Sequence, residues 1–195
     1  MDIQTLIPNF NIILASHSPR RQQLLKNMGW KFTVKTHDIP EFYPDDLKME
    51  QIPVYLSKLK ANSFKSASIP DNTIIITADT VVFLKDNVLN KPKDNEEAIK
   101  MLKQLSGKKH EVITAVTLKS NVKMVTFHVT TDVYFKELSD EEILFYVNNY
   151  NPLDKAGAYG IQDWIGYIGI EQIDGSFFNV MGLPLKELYE EVMMF

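Results

Sequence analysis

The segment that most constrains this chain is Thr73 to Ala78, a nearly unbroken run of β-branched residues. Such a run suits a strand covered on both faces, because alternation of polar and apolar residues is what a half-exposed strand would show. It therefore predicts a buried central strand, ending at Asp79-Thr80 before Val81 to Leu84 resume an extended pattern. A polar turn at Lys85 to Asn87 then predicts a hairpin.

Around that strand the pattern alternates. Asn11 to Ala15 reads as a short apolar strand, and Ser18-Pro19-Arg20-Arg21 opens a helix with Ser as N-cap and Pro at the first helical position. That helix turns Leu24, Leu25 and Met28 inward and stops at Gly29. A second strand is expected at Lys31 to Lys35, an acidic Pro-containing loop from His37 to Asp46, and a helix from Met49 to Phe64. Asp94 with Glu97 starts another helix that closes at Gly107. Glu111 to Leu118 and Met124 to Phe135 form an antiparallel pair around Ser120-Asn121, and Ser139 with Glu142 is a capping box. The end of the chain alternates short strands with turns before a helix from about Pro184 to Met193. These expectations describe an α/β protein with a mixed, twisted sheet and flanking helices. One domain over 1–195, with room for two lobes and a cleft between them, is the default for 195 residues.

Composition narrows the function classes. With 45% hydrophobic and 24% charged residues the chain matches an ordinary globular protein, without an apolar run long enough for a membrane span or a signal pattern at the start. A cytoplasmic location follows as the expectation. The absence of cysteine removes disulfides, thiolate catalysis and cysteine-bound zinc. A formal charge of -4 argues against a nucleic-acid polymer as partner but leaves a small anion in a local basic site open.

Four constellations could carry chemistry. In Ala15-Ser16-His17-Ser18-Pro19-Arg20-Arg21, a helix N-terminus, two serine hydroxyls and two guanidiniums suit phosphate oxygens. The bland alternative is a capped helix with two solvated arginines. Asp79-Thr80 stands where a carboxylate could hold a metal or activate water, or could simply serve a turn, and Glu41 is a second oxygen ligand candidate. Lys60 and Lys91 are lone lysines that matter as partners of the arginines. Asp154-Lys155-Ala156-Gly157-Ala158-Tyr159-Gly160-Ile161-Gln162 lets backbone approach a ligand, with Gln162 able to read a base edge, and equally suits a tight structural turn. His17 and His110 lack persuasive catalytic companions.

Taken together with Leu56-Ser57-Lys58-Leu59-Lys60-Ala61, Asn90-Lys91-Pro92 and Leu105-Ser106-Gly107 with His110, these segments resemble the Maf family of nucleotide pyrophosphatases over nearly the whole chain. The resemblance implies an inosine-triphosphatase-like α/β fold, a divalent cation (Mg²⁺ or Mn²⁺) and cleavage between the α and β phosphates of a nucleoside triphosphate. It implies Asp79 as proton acceptor for water, and Ser16, Arg20, Arg21, Glu41, Lys60 and Lys91 as the phosphate and metal environment. Arg20, Thr80 and Gln162 fall where the family's subgroups differ, and the arginine with the glutamine is similar to the dTTP and UTP hydrolases. The alternatives it implies are a 7-methyl-GTP or modified-nucleotide pyrophosphatase, whose subgroup has Trp where Arg20 stands, and a nucleotide-binding, septum-regulating protein. It leaves a homodimer open. Asn90 replaces the family's glycine and Pro40 replaces an acidic residue before Glu41.

Overall fold

The computed structural model describes residues 10–195. Strand β1 (Asn11–Leu14) leads into helix α1 (Pro19–Asn27), strand β2 (Phe32–Val34) and helix α2 (Gln51–Asn62). Strand β3 (Thr73–Leu84), strand β4 (Asn87–Leu89), helix α3 (Asn95–Leu105) and the long strands β5 (Lys109–Lys119) and β6 (Met124–Phe135) follow. The chain closes with α4 (Asp140–Tyr150), α5 (Trp164–Gly169), β7 (Ile170–Asp174), α6 (Phe177–Met181) and α7 (Leu185–Met193). The strands form one seven-stranded sheet in the order β2-β1-β3-β5-β6-β7, with β4 pairing β3. It is mixed, as expected: β1 runs parallel to β2 and β3, whereas β4 is antiparallel to β3 and β7 to β6. No helix among the described residues is long and apolar enough to cross a membrane.

The local rules read from sequence operate where they were placed. Ser18 caps α1 by accepting from the Arg21 N–H at 3.4 Å, and Gly29 takes φ +73° just past the helix end. Asp94 caps α3 through the Glu97 N–H at 2.8 Å. At α4 the capping box is complete: Ser139 Oγ accepts from the Glu142 N–H at 3.2 Å, and Glu142 Oε2 accepts from the Ser139 N–H at 2.9 Å. Helix α2 begins two residues later than its apolar pattern suggested, because Met49 adopts φ +46° and so cannot belong to a right-handed helix.

Two expectations need correction. The break placed at Asp79-Thr80 does not exist, since β3 runs without interruption from Thr73 to Leu84. The polar pair sits inside the strand because the strand changes neighbours there. Pairing with β1 ends at Leu14↔Ile76, pairing with β4 starts at Val82↔Leu89, and residues 77–81 pair with neither. The second correction concerns the region after α4, where only β7 is a strand and α5 and α6 are short helices. The Trp164–Gly169 stretch looks strand-like in composition, but Gly166 lets it coil against Ile161: a Cβ on Gly166 would come within 2.0 Å of the Ile161 carbonyl oxygen.

The described chain divides into two compact units. The first comprises the residues up to Asp79 with Thr114–Val129 and Gly182–Phe195. In it, β3 is fastened to α2 by hydroxyl groups. Thr77 Oγ1 donates to the Ser57 carbonyl at 2.8 Å, Ser57 Oγ lies 3.0 Å from Thr117 Oγ1, and Thr117 Oγ1 lies 2.9 Å from Thr126 Oγ1. The buried Lys119 ammonium donates to the carbonyls of Ala61 at 3.2 Å and Phe64 at 2.8 Å, placing its charge at the C-terminal end of α2. The second unit, Thr80–Ile113 with Thr130–Met181, is built on an apolar core that includes Val82, Leu102, Leu105, Val133, Tyr146 and Ile165. His110 is buried there, with Nε2 2.7 Å from the Tyr159 hydroxyl and its ring against Phe135. Burial pushes its pKa down to about 4, so the ring is neutral at pH 7.

Replacing Thr77 by Val keeps the shape and removes the donor to Ser57. It should lower the unfolding free energy in urea by ~1 kcal/mol, more than Thr126→Val at the partly exposed end of the chain of hydroxyls. Equal effects would show that the Thr77 bond does not fasten α2. For His110, the unfolded ring titrates near 6.5 and the folded ring near 4, so in that window the unfolded state binds the extra proton and stability falls as pH falls. Between pH 7 and pH 5 the loss is about 2 kcal/mol. Urea titrations at both pH values should show His110→Phe relieved of this part of the slope, and an unchanged slope would contradict the buried neutral ring.

Candidate active site

The first unit holds six of the sequence-predicted residues: Ser16, Arg20 on α1, Arg21, Glu41, Lys60 and Asp79. The centre is an ion pair. Lys60 Nζ lies 2.6 Å from Asp79 Oδ1 and 3.1 Å from Glu41 Oε1, so two carboxylates converge on one ammonium. The Asp79 side chain is 10% exposed and that of Lys60 18%, whereas Glu41 is half exposed at 50%.

Strand and helix periodicity explains why Lys60 and Asp79 meet. Thr77 and Asp79 share one face of β3, since side chains two apart on a strand point the same way. Ser57 and Lys60 share one face of α2, three residues apart. The Thr77–Ser57 bond and the Lys60–Asp79 pair are thus successive rungs between the same strand and the same helix. Sequence reading found Lys60 and Asp79 but missed Ser57, Thr77, Thr117 and Lys119, which set α2 in place. For Thr77 and Thr117 the signal was there: hydroxyl residues at buried strand positions need partners.

Burial is the largest influence on Asp79 and pushes its pKa above the usual carboxylate value. The Lys60 charge and hydrogen bond and the Arg21 charge pull it back down, while Glu41 adds to the rise. The net effect is upward, leaving a carboxylate more basic than one in water.

Arg21 performs a backbone role that its sequence context did not reveal. Its Nε donates to the Gly182 carbonyl at 2.7 Å and its Nη1 to the Ala78 carbonyl at 2.9 Å. Ala78 lies in the part of β3 that pairs with neither β1 nor β4, so the guanidinium supplies a donor the sheet does not. Nη1 also lies 3.5 Å from Ser16 Oγ, which accepts from the Ser18 N–H at 3.2 Å. Gln22 Nε2 donates to the Ser16 carbonyl at 3.1 Å, completing the bonds that shape the turn before α1. Burial, the largest effect, and the neighbouring Arg20 lower the Arg21 pKa, against the opposing pull of Asp79 and Glu41. His17 stands exposed, its Nε2 2.7 Å from Thr36 Oγ1.

The second unit carries Thr80, Lys91 and Gln162. Lys91 is exposed, on a loop joined to the small-residue stretch by the Gly157 N–H donating to the Asn90 carbonyl at 3.2 Å. Gly157 has φ +70°, and a Cβ there would meet Val82 Cγ1 at 3.1 Å, so this close turn needs glycine. Gln162 Nε2 donates to Asp163 Oδ1 at 3.0 Å.

The donor set can be tested for a divalent cation. Two carboxylates on one cation position, with no group of three or more His, Cys, Asp or Glu among the described residues, is no closed cage. It does suit Mg²⁺ or Mn²⁺, hard ions often bound by one or two carboxylates, with water and phosphate oxygens completing the shell.

Residues 11–195 match the family model described as "Maf-like protein". The chain is 51% identical over 187 residues to a protein of Phocaeicola vulgatus named dTTP/UTP pyrophosphatase, covering 95% of this chain and 96% of that protein. It is 48% identical over 187 residues to a protein of the same name from Bacteroides thetaiotaomicron, with the same coverage. A third relative so named, from Flavobacterium johnsoniae, is 46% identical over 184 residues, covering 94% of each chain. A structure of the Staphylococcus aureus Ham1 protein aligns over 81% of this chain and 90% of that one, at a TM-score of 0.45 and 16% identity. Matched to the family model along nearly its whole length, and to relatives at about half identity, the chain belongs to the Maf family.

Proposed function

We propose that this protein is a cytosolic hydrolase that converts dTTP and UTP to the nucleoside monophosphate and pyrophosphate. The observation that carries the reading is the buried Asp79 carboxylate, held by Lys60 beside Glu41, in a chain so similar to proteins named dTTP/UTP pyrophosphatase.

Hydrolysis of a phosphoanhydride needs a nucleophilic water and compensation of the negative charge that builds on the leaving group. Asp79 accepts the proton of the attacking water, and burial suits it to that task by raising its basicity. The charges of Arg20, Lys60 and Lys91 neutralise the triphosphate, and Arg21 adds its own charge while its Nε and Nη1 hold backbone carbonyls. Ser16 Oγ and the N-terminal end of α1 contribute neutral donors. Glu41 and Asp79 would hold the divalent cation, which when bound supplies positive charge to phosphate oxygens. Lys60 lies against both carboxylates, so one ammonium both steadies the base and compensates phosphate charge when the anionic substrate arrives. Thr80, Arg20 and Gln162 set the preference for a pyrimidine nucleotide.

Pyrophosphate release over dTTP, UTP, CTP, GTP and 7-methyl-GTP tests the reading, with and without chelator. The expected result is highest kcat/KM for dTTP and UTP, dependence on Mg²⁺ or Mn²⁺, and pyrophosphate as the first inorganic product. Preference for 7-methyl-GTP would overturn the substrate, full activity in excess chelator the metal, and orthophosphate as primary product the cleavage site. In the same assay Asp79→Asn should lose ~10²-fold or more in kcat while still binding UTP. Near-parental turnover by that variant would remove Asp79 from the role of proton acceptor.

A further inference from the structure

We propose that Asp163 is a positioning residue for substrate choice: it locks the side-chain amide of Gln162 so that its carbonyl oxygen faces the base as an acceptor, selecting bases with an imide N–H. The inference rests on the reading of the protein as a pyrimidine triphosphate hydrolase with Gln162 at the base.

A glutamine can present either end of its amide to a ligand, and the two ends read opposite patterns. Uracil and thymine carry a donor, the N3–H, where cytosine carries an acceptor. A glutamine free to rotate would serve both. Here the choice is made by the next residue in the chain. Gln162 Nε2 donates to Asp163 Oδ1 at 3.0 Å, and an ionised carboxylate accepts but cannot donate, so the NH₂ end has to face it. The Oε1 end is thereby set apart. It is buried and has no hydrogen-bond partner among the described residues. An acceptor withdrawn from water and left unpaired is unfavourable unless a ligand meets it.

Asp163 is itself held fast. The Tyr146 hydroxyl donates to Asp163 Oδ2 at 2.8 Å and accepts from the Gly160 N–H at 3.0 Å. The Lys155 ammonium, anchored by Asp154 at 2.8 Å, lies 3.7 Å from the same Oδ2. Each member of this chain of bonds has its donor direction fixed by the one before it: the backbone N–H can only donate to Tyr146, whose hydroxyl proton then goes to Asp163.

Two further observations tie the arrangement to Gln162 rather than to the helix that Asp163 precedes. Asp163 occupies the N-cap position of α5, where an aspartate commonly accepts from the helix N–H groups, yet its side chain makes no capping bond. The carboxylate is committed elsewhere. Gly160 provides the room, because a Cβ there would stand 2.5 Å from Asp163 Oδ2 and 2.7 Å from Gln162 Nε2.

The lock predicts discrimination between UTP and CTP. With Oε1 presented, uracil N3–H is paired, whereas cytosine N3 would set one acceptor against another. Asp163→Asn ends the lock, because an amide at this position can donate as well as accept and Gln162 is then free to present either end.

The test is kcat/KM for UTP and CTP on the parent, Asp163→Asn, Tyr146→Phe, Gln162→Ala and the Gln162→Ala/Asp163→Asn double variant. Asp163→Asn should lower the UTP-to-CTP ratio by ~10-fold, mainly through a higher KM for UTP, with kcat for UTP little changed. In the Gln162→Ala background the same substitution should leave the ratio where it is. Tyr146→Phe retains the acceptor-only carboxylate and should keep the parental ratio, whereas a merely structural network would make it behave like Asp163→Asn. Asp163→Ser, whose hydroxyl both donates and accepts, is the second variant if Asp163→Asn does not fold, and should give the same fall. An unchanged ratio in the Asp163 variants, or equal losses for both nucleotides, would overturn the proposal. A parent without preference for UTP over CTP would instead overturn the substrate reading on which it rests.

Discussion

The pairing of Asp79 with Lys60 is the interaction on which the arrangement of the first unit's buried charges depends. A carboxylate in the middle of a buried strand is costly unless a cation accompanies it, and Lys60 supplies that cation from the neighbouring helix at 2.6 Å. The pair needs β3 and α2 to hold a fixed register. That register comes from other groups: the Thr77 hydroxyl on the Ser57 carbonyl, the Ser57 and Thr117 hydroxyls on each other, and Lys119 on the Ala61 and Phe64 carbonyls at and just past the end of α2. Packing alone would leave the helix free to slide along the apolar strand, and these directional bonds oppose such sliding.

A second constraint explains why the Asp79 carboxylate stands where it does. Strand β3 exchanges β1 for β4 along its length, and between the two its backbone needs other partners. Arg21 provides one at the Ala78 carbonyl, which brings a guanidinium to the residue preceding Asp79. Satisfying the backbone and concentrating positive charge are thus one event. The same guanidinium ties in Gly182 and approaches Ser16, so the turn before α1, the middle of β3 and the segment before α7 are joined at one side chain.

Much of this was legible in the sequence because it follows local rules. The β-branched run announced β3, and the caps at Ser18, Asp94 and Ser139 announced three helices. The missing break at Asp79-Thr80 was not legible, since two polar residues in an apolar run look like an end unless one knows that a neighbouring helix pairs with the first. The short helices α5 and α6 were hidden for a related reason: five- and six-residue apolar stretches, glycine-containing in α5, favour no period, and in α5 a tertiary contact of Gly166 on Ile161 decides it. Glu41 and Lys91 were candidates that their loops could not distinguish from solvated charges, and the family resemblance gave them their expected places beside phosphate and metal. Asp163 was passed over altogether. Its partners at 146, 155, 160 and 162 share no spacing, and only the fold shows that their hydrogen bonds form one directional chain.

These features converge on one central claim, that water directed by Asp79 attacks the α-phosphorus of a pyrimidine triphosphate. Hydrolysis of UTP in ¹⁸O-enriched water, with mass analysis of both products after a single turnover, examines that claim at the bond concerned. Attack at the α-phosphorus puts one ¹⁸O atom in UMP and none in pyrophosphate. Label in pyrophosphate, with UMP unlabelled, would contradict it.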